Sequence, residues 1–194
     1  MPDATELVST ANLKTYLQIT GSTYDTALEA IKDAVEDWVK GFVDRDLLVT
    51  AYTEYYDGDG SGLLRVRQYP ITSITSIHAD PARLFAAATL IPSSDLITDV
   101  DQNDNIGIIE LYTYRFLRGI KNIKVIYSAG YSTVPDRLQY AVKLMCAREW
   151  TIYEKRLAGM TVQQIGEKSV TMEIDAIPKA AMDILNKYRR IDLL

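Results

Sequence analysis

The sequence predicts an α+β fold, with a helical core and a small, mainly antiparallel β-sheet. The helical core comprises an N-terminal helix pair, a central helix and a C-terminal helix. Apolar residues recur at helical spacing from Tyr24 to Phe42 and again after Pro135, whereas residues 47–77 hold short β-branched and aromatic runs separated by turn residues. Patterns that are segregated along the chain in this way are typical of the α+β class. A chain of 194 residues suits one domain, which we assign to residues 1–194.

The first element is a short helix. Ser9 or Thr10 can cap its start, and Gly21 is expected to end it. Its inward residues are predicted to be Leu13, Tyr16 and Leu17.

The second helix has the clearest pattern. Ser22 followed by Asp25 resembles a capping box. The residues predicted to face inward are Tyr24, Ala27, Leu28, Ile31, Ala34, Val35, Trp38, Val39 and Phe42. The opposite face carries Asp25, Glu29, Lys32, Asp33, Glu36, Asp37 and Lys40. We expect this charged face to be solvated, with a contact or channel-lining surface as the alternative.

Strands are predicted in the middle of the chain. A strand-like run covers residues 47–56, a glycine-rich turn covers 57–62, and Leu64 and Val66 then alternate with arginines. Ile71, Ile74 and Ile77 continue the pattern after Pro70. The following segment is irregular and polar, so we assign residues 79–105 as an insertion between strands.

The remaining elements are two strands, a central helix, a short strand and a last helix. The strands are expected at 106–115 and 123–127, and the short one at 170–174. Pro135 can open the central helix and Pro178 the last one. The last helix is expected to line one face with Ala181, Ile184, Leu185 and Tyr188.

Composition restricts the class of function. Formal net charge is −5, from 26 acidic and 21 basic residues, which argues against a sequence-reading nucleic-acid binder but permits a surface that DNA slides past. No stretch approaches the roughly 18 apolar residues of a membrane span, and no signal peptide is expected.

Cys146 is the single cysteine, which fits a reducing compartment. Thirteen tyrosines against three phenylalanines suit a protein that is buried in interfaces.

Catalytic patterns are scarce. His78 is the single histidine and lies close to Asp80, but no nucleophile motif accompanies them. Cys146 falls in the apolar pattern of the central helix, where a buried thiol is the usual outcome. We therefore predict no catalytic residue, no cofactor and no enzyme.

Two acidic runs resemble calcium loops. Asp57, Asp59 and Ser61 match the first half of an EF-hand loop, but Gln68 stands where a bidentate glutamate is needed. Residues 99–110 have Glu110 at the last position of an EF-hand loop, where a glutamate is needed, but lack the glycine that the middle of such a loop requires. Both are simpler as turns, so no metal ligand is assigned, and cation binding by residues 99–110 stays open.

The C-terminus is apolar for a chain end and can dock either on the protein's own core or on a partner. The residues that we predict for a portal or subunit interface are Tyr188, Arg189, Arg190, Ile191, Leu193 and Leu194.

The order of these elements resembles a known family. The quoted pieces are Leu13–Ile19, the helix Tyr24–Phe42, Arg45-Asp46-Leu47, Tyr55–Ser61, Leu63–Val66, Tyr69–Ile74, Val125–Tyr131 and Val134-Pro135-Asp136. Their order and spacing are similar to the gp6-like head-tail connector (adaptor) family of tailed bacteriophages. The resemblance covers most of residues 5–155, so residues 155–194 are predicted to be a C-terminal extension, either a portal-docking arm or part of the subunit's own fold.

The resemblance implies a structural role in the virion neck. Family members form a ring, commonly of twelve subunits, beneath the portal after DNA packaging. The ring extends the DNA channel without sequence-specific binding and presents a surface to the next neck, stopper or tail-completion protein. Assembly in the host cytoplasm and no membrane contact are implied. The alternatives are another phage neck or tail-completion protein, and a small metal-dependent hydrolase.

Overall fold

The computed structural model describes residues 5–97, 107–155, 162–165, 168–171 and 177–190. The helices are α1 (Thr10–Leu17), α2 (Asp25–Val43), α3 (Asp136–Lys155) and α4 (Lys179–Leu185). The strands are β1 (Thr50–Gly58), β2 (Leu63–Arg65), β3 (Ile71–Ala79), β4 (Leu96–Ile97), β5 (Ile108–Leu111), β6 (Gly119–Ala129), β7 (Val162–Ile165) and β8 (Lys168–Thr171). The predicted α+β class, with helices and antiparallel strands, is confirmed.

The chain forms two compact units. The β unit is built mainly from residues 45–133 and contains β1 to β6. The helical unit is built from residues 6–44 and 134–194, so far as these are described, and contains the four helices and the β7–β8 hairpin.

The central sheet of the β unit has the strand order β1–β6–β3, and both pairs are antiparallel. Alternate residues of β6 point into the core, because successive side chains of a strand face opposite sides. The buried cluster consists of Leu64, Val66, Ile71, Ile77, Ile91, Ile109, Leu111, Phe116, Ile123, Val125, Tyr127 and Ala129.

The polar end of Tyr127 is satisfied inside this core. Its hydroxyl donates to the Glu54 carboxylate over 2.6 Å and accepts from the backbone N–H of Gln68 over 3.2 Å. Tyr56 also donates to Glu54. Burial and the hydrogen bond to Glu54 raise the pKa of Tyr127, so its phenol stays protonated.

A second antiparallel sheet has the order β2–β5–β4. The sequence predicted a strand over residues 106–115, but β5 ends at Leu111. The reason is that the backbone N–H groups of residues 112–114 are taken by Asp95 rather than by a neighbouring strand.

The helical unit packs the apolar faces of its helices together. Its fully or nearly buried residues include Leu13, Leu28, Val35, Val39, Val43, Leu138, Ala141, Val142, Cys146, Ala181 and Leu185. The predicted inward positions Ala181 and Leu185 of the last helix are therefore confirmed. The predicted strand at residues 170–174 overlaps β8, and its last three residues lie outside the described part of the chain.

The ends of the first two helices differ from the prediction. Ser9 does cap α1, accepting from the backbone N–H of Asn12, but α1 ends at Leu17 with Gln18 in the left-handed region. Tyr16, predicted inward, is exposed. The capping box at α2 is not formed, because Tyr24 is the N-cap and makes no side-chain cap bond.

The polar face of α2 is only partly solvated. Lys32 is buried and pairs with Glu6, while Glu36 accepts the backbone N–H groups of Leu7 and Val8. Burial raises the pKa of Glu36, and these N–H groups and Lys32 oppose that shift. The prediction that Lys32 and Glu36 face solvent was wrong, because residues 6–8 fold back over that part of the helix.

Among the described residues, no helix is both long enough and apolar enough to cross a bilayer.

Two glycines provide a matched stability test. Gly130 has φ +123°, and a Cβ there would lie 2.3 Å from the Leu48 carbonyl oxygen. We expect Gly130→Ala to lower the free energy of unfolding by more than about 1 kcal/mol, because the strain and the clash add. Gly41, inside α2, has no atom within 4 Å of such a Cβ. Gly41→Ala should raise stability by about 0.5–1 kcal/mol. Urea unfolding of both variants checks the pair, and equal effects would contradict it.

Candidate assembly surfaces

Large apolar side chains are exposed at many places in the described residues. They are Tyr16, Tyr24, Trp38, Tyr55, Leu63, Leu84, Leu90, Tyr112, Tyr114, Leu117, Ile120, Tyr140 and Tyr153. Contiguous apolar surface that is exposed in the isolated chain is a feature of proteins that bind other proteins. Seven of the thirteen are tyrosines, as expected for an interface residue with an apolar body and a polar end.

One group of these residues lies at the junction of β5 and β6. We call it the tyrosine patch and define it as Leu63, Tyr112, Tyr114, Leu117 and Ile120. Tyr112 is 76% exposed and Ile120 is 72% exposed. Four of the five lie in residues 112–120, and hydrogen bonds hold the backbone of this segment in place.

Asp95 holds the first half of that segment. Its carboxylate is buried and accepts the backbone N–H groups of Thr113 over 2.7 Å and Tyr114 over 2.9 Å. Its backbone carbonyl accepts the N–H of Tyr112 over 2.8 Å. Burial raises the pKa of Asp95, but the N–H groups of Tyr114 and Thr113 outweigh it and hold the pKa below its ordinary value. The carboxylate is therefore charged when it binds the loop.

Phe116 and Asn122 hold the second half. Phe116 is fully buried, and its N–H donates to the Ser61 carbonyl over 2.8 Å. The buried Asn122 donates to the Leu117 carbonyl over 2.7 Å and accepts the N–H of Gly58 over 2.9 Å. A Cβ at Gly58 would lie 1.9 Å from the Leu117 carbonyl oxygen, so this close approach requires glycine.

A bulge at the start of β6 turns Ile120 outward. The pairing shifts between Tyr56↔Ile123 and Gly58↔Gly119, which places extra residues on β6. Lys121 takes the left-handed conformation at φ +48°, and its N–H donates to Asp57 over 2.7 Å.

These bonds also explain the calcium-like loop. The Asp57 carboxylate binds Lys121, and the Asp59 carboxylate accepts the N–H of Ser61 over 2.7 Å. Hydrogen bonds from Ser61 lower the pKa of Asp59. The geometry is that of a turn. Of the second run, residues 99–105 lie outside the described residues, and Glu110 lies in β5 as predicted.

The charges around the tyrosine patch are basic. Arg115, Arg118 and Lys121 are exposed, and residues 112–121 contain no acidic residue. Arg115 donates to the Tyr114 carbonyl over 2.8 Å, and Arg118 donates to the Asp59 carbonyl over 3.0 Å.

A second loop of the β unit is built in the same way around Asp80. The buried Asp80 carboxylate accepts the N–H groups of Ala82, Leu84 and Phe85 at 2.8–2.9 Å. The bond from Phe85 is the main reason why its pKa is lowered. Arg83 and Phe85 have φ of 60° and 52°, and Leu84 is 80% exposed.

The candidate catalytic pair of His78 and Asp80 is not assembled. The Asp80 carboxylate is occupied by backbone N–H groups, and His78 lies in β3 with Nδ1 3.4 Å from the Thr89 hydroxyl. Cys146 is buried in α3, and burial raises the pKa of its thiol to about 12, so it is unsuited to act as a thiolate. Within the described residues, no group of three His, Cys, Asp or Glu side chains is arranged to hold a metal.

The helical unit carries a groove between α2 and α3, with a volume of about 470 Å³. We call it the α2–α3 groove. Its lining residues are Ala27, Ala30, Ile31, Ala34, Val35, Trp38, Met145, Arg148, Glu149, Tyr153 and Ile177. Asp33 and Asp37 flank its α2 side, because they lie within one helical turn of Ala30 and Ala34.

The predicted C-terminal interface residues are described as far as Arg190. Arg190 is bound to the end of α2, donating its N–H to the Val43 carbonyl over 2.8 Å and pairing with Asp44 over 2.7 Å. Arg189 lies over the Phe42 ring at 5.7 Å, and the N–H of Tyr188 donates to Leu185 over 2.9 Å. Ile191, Leu193 and Leu194 lie outside the described residues. The assignment of these six residues to an interface stays a prediction.

Sequence reasoning missed the tyrosine patch. Residues 106–115 read as a strand because β-branched and aromatic residues dominate, so the tyrosines were assigned to a sheet. The sequence itself carries no such signal, because Tyr112, Thr113 and Tyr114 alternate as in a strand, although all three are exposed in the structure.

The described residues thus present exposed apolar surfaces and one apolar groove, which are candidate sites for binding other proteins. The sequence model of a family described as head completion protein matches residues 6–191. This chain belongs to the head completion protein family. It is a structural protein of phage head completion, which agrees with the resemblance to head-tail connectors.

Solved structures show the same fold. A chain in the neck of an empty gene transfer agent particle, computed with C6 symmetry, matches with a TM-score of 0.56 at 18% identity, covering 99% of this chain and 96% of that one. A chain in the neck of the native particle, computed with C12 symmetry, gives 0.55 at 17%, with 99% and 96% covered. A chain of the native virion gives 0.56 at 16%, with 97% and 92% covered. No curated protein matches this chain.

The bond between Asp95 and its loop can be tested by Asp95→Asn. We expect faster amide hydrogen exchange at Thr113 and Tyr114 and a lower melting temperature, because the amide accepts more weakly than the carboxylate. Asp33→Asn is the matched control, since the Asp33 side chain is 73% exposed. Unchanged exchange in Asp95→Asn would contradict the assigned role.

The same bond predicts a pH dependence. Since the folded pKa of Asp95 lies below its ordinary value, its contribution is present above about pH 4 and is lost as pH falls through the lowered pKa. The melting temperature of Asp95→Asn should therefore fall less on acidification than that of the unmodified protein.

Proposed function

We propose that this protein is a head-tail connector that assembles into a ring of twelve beneath the portal, in the neck of a tailed phage or phage-like particle. Membership in the head completion family over residues 6–191 carries the proposal. Assembly takes place in the host cytoplasm, before the tail is joined to the filled head.

The ring is supported by the symmetry of similar structures. Chains with the same fold occur in necks computed with C6 and with C12 symmetry. Sixfold symmetry is contained in twelvefold symmetry, so one twelve-membered ring is compatible with both. Homo-oligomers with closed rotational symmetry are the common form of assembly.

The charge of the chain suits a channel wall. With a net charge of −5, the surface does not neutralise phosphates as a gripping DNA binder does. Passing genomic DNA is then a transient neighbour of the ring.

The remaining partners are the portal above and the next neck, stopper or tail-completion protein below. We assign the portal contact to the C-terminal extension of residues 155–194, and within it to Tyr188, Arg189, Arg190, Ile191, Leu193 and Leu194. The apolar composition of the last four residues supports this, because a free chain end is normally polar. Residues 79–105 stay assigned as an insertion whose exposed Leu84 and Leu90 suit contacts with a neighbour.

Ring formation can be tested by electron microscopy of the purified protein mixed with purified portal rings of the same particle. We expect a second ring of twelve subunits on the tail-facing end of the portal. Portal rings alone, and this protein alone, are the controls. Protein that stays monomeric and never attaches to that end would overturn the connector proposal.

The portal contact can be tested by deleting residues 191–194. We expect the dissociation constant for portal to rise by more than about tenfold, because an apolar anchor is removed. The melting temperature should change little, since the contacts of Arg189 and Arg190 with α2 are kept. Arg190→Ala is the comparison, and it should lower the melting temperature by removing the pair with Asp44. Full portal affinity after the deletion would exclude this segment as the docking arm.

A further inference from the structure

We propose that the tyrosine patch of one copy binds the α2–α3 groove of the next copy in the ring. The inference deepens the proposed function and rests on it, since it names the surfaces by which neighbouring subunits meet. Each subunit has one patch and one groove, so each can bind two neighbours.

The two surfaces match in apolar character. The patch offers exposed aromatic and aliphatic side chains, among them Tyr112 and Tyr114. The groove offers exposed alanines at positions 30 and 34, beside the Trp38 ring. Alanine side chains leave room for rings to approach the helix closely, and aromatic residues packed into such concave surfaces dominate the energy of many interfaces.

The two surfaces also match in charge. Arg115, Arg118 and Lys121 surround the patch, where residues 112–121 carry no acidic residue. The groove is lined by Arg148 and Glu149, which pair with each other, and Asp33 and Asp37 border it. The Asp33 side chain lies 3.7 Å from Lys32 and is 73% exposed. Opposite charges across an interface speed association, fix the register of the partners and disfavour patch-to-patch or groove-to-groove pairing.

The backbone of the tyrosine patch is also preorganised for binding. The bonds from Asp95, Ser61, Asn122 and Asp57 hold its backbone in the free chain. Little backbone freedom is then lost on binding, so more of the contact energy contributes to affinity.

Binding between unlike surfaces favours a ring over a dimer. A surface that pairs with itself closes after two copies, whereas a contact between two different surfaces passes from copy to copy until it closes. The patch belongs to the β unit and the groove to the helical unit, so the two surfaces share no residue.

Cross-linking tests the contact directly. Tyr114→Cys and Ala34→Cys are made in separate chains, mixed at high concentration and treated with a short bismaleimide; the buried Cys146 stays in place. We expect about tenfold more mixed dimer than from a control mixture of Tyr114→Cys with Thr151→Cys, an exposed α3 position outside the groove, because bound thiols have a raised effective concentration. Leu117→Cys replaces Tyr114→Cys if the latter fails to fold.

A lack of patch–groove product, or equal product in the control mixture, overturns the contact. Protection of the thiol at position 34 from N-ethylmaleimide in the monomer also overturns it, because the chain's own residues would then fill the groove. Failure of the proposed function is distinguishable: it shows as the absence of portal-bound rings, whereas failure of this contact alone leaves rings whose cross-links lie elsewhere.

Charge reversal gives a second test. Arg115→Glu with Lys121→Glu reverses the patch, and Asp33→Lys with Asp37→Lys reverses the groove. Each variant alone should lose rings on the portal, because like charges then face each other. An equimolar mixture should restore them, since a ring of even number can alternate the two variants, and so should all four changes in one chain. Rings from either variant alone, or no restoration in the mixture, would overturn the proposal.

Discussion

Charged carboxylates buried beneath loops determine which surfaces this protein exposes. Asp95 and Asp80 each accept several backbone N–H groups, and each holds a loop whose outward side chains are apolar. A buried charge is costly unless its acceptor positions are filled, so the loop and the carboxylate stabilise each other. Asp95 takes the N–H groups of Tyr112, Thr113 and Tyr114, so the segment after β5 stays outside the sheet. The exposed tyrosines are therefore maintained by the fold.

The amphipathic elements could be predicted from the sequence. Leu28, Val35 and Val39 mark the buried stripe of α2, and the alternation of Ile123, Val125 and Tyr127 marks β6, because a residue's burial there follows from its own position in a period. The same reasoning failed where the burial of a residue depends on a partner that is distant in the sequence. Lys32 follows the pattern of a surface residue, but Glu6, twenty-six positions away, makes its burial tolerable.

The candidate surfaces could be predicted only in part. An excess of tyrosine indicated interfaces, but their position depends on pairings such as Asp95 with Thr113 and Gly58 with Leu117, which no local pattern reveals. The family role could be predicted from the sequence although the surfaces could not, because the order of turns and strands resembles head-tail connectors even where single motifs are unspecific. Surfaces that bind partners are less constrained by the packing of their own chain, so periodicity carries little information about them.

The discontinuity of the helical unit has a consequence for biosynthesis. The β unit is one nearly continuous stretch whose two ends are joined, since the N–H of Tyr131 donates to the Leu47 carbonyl over 2.8 Å and Leu48 bridges the same residue. It can therefore complete its fold once β6 has left the ribosomal exit tunnel, while α3 is still inside the tunnel. The helical unit folds later, because α1 and α2 lack the helix they pack against until α3 has left the tunnel. During that interval the apolar stripe of α2 is uncovered, and nascent chains on one polysome could associate through it prematurely. A helix of moderate hydrophobicity rich in aspartate and glutamate limits that hazard, which gives its acidic residues a use before any particle exists.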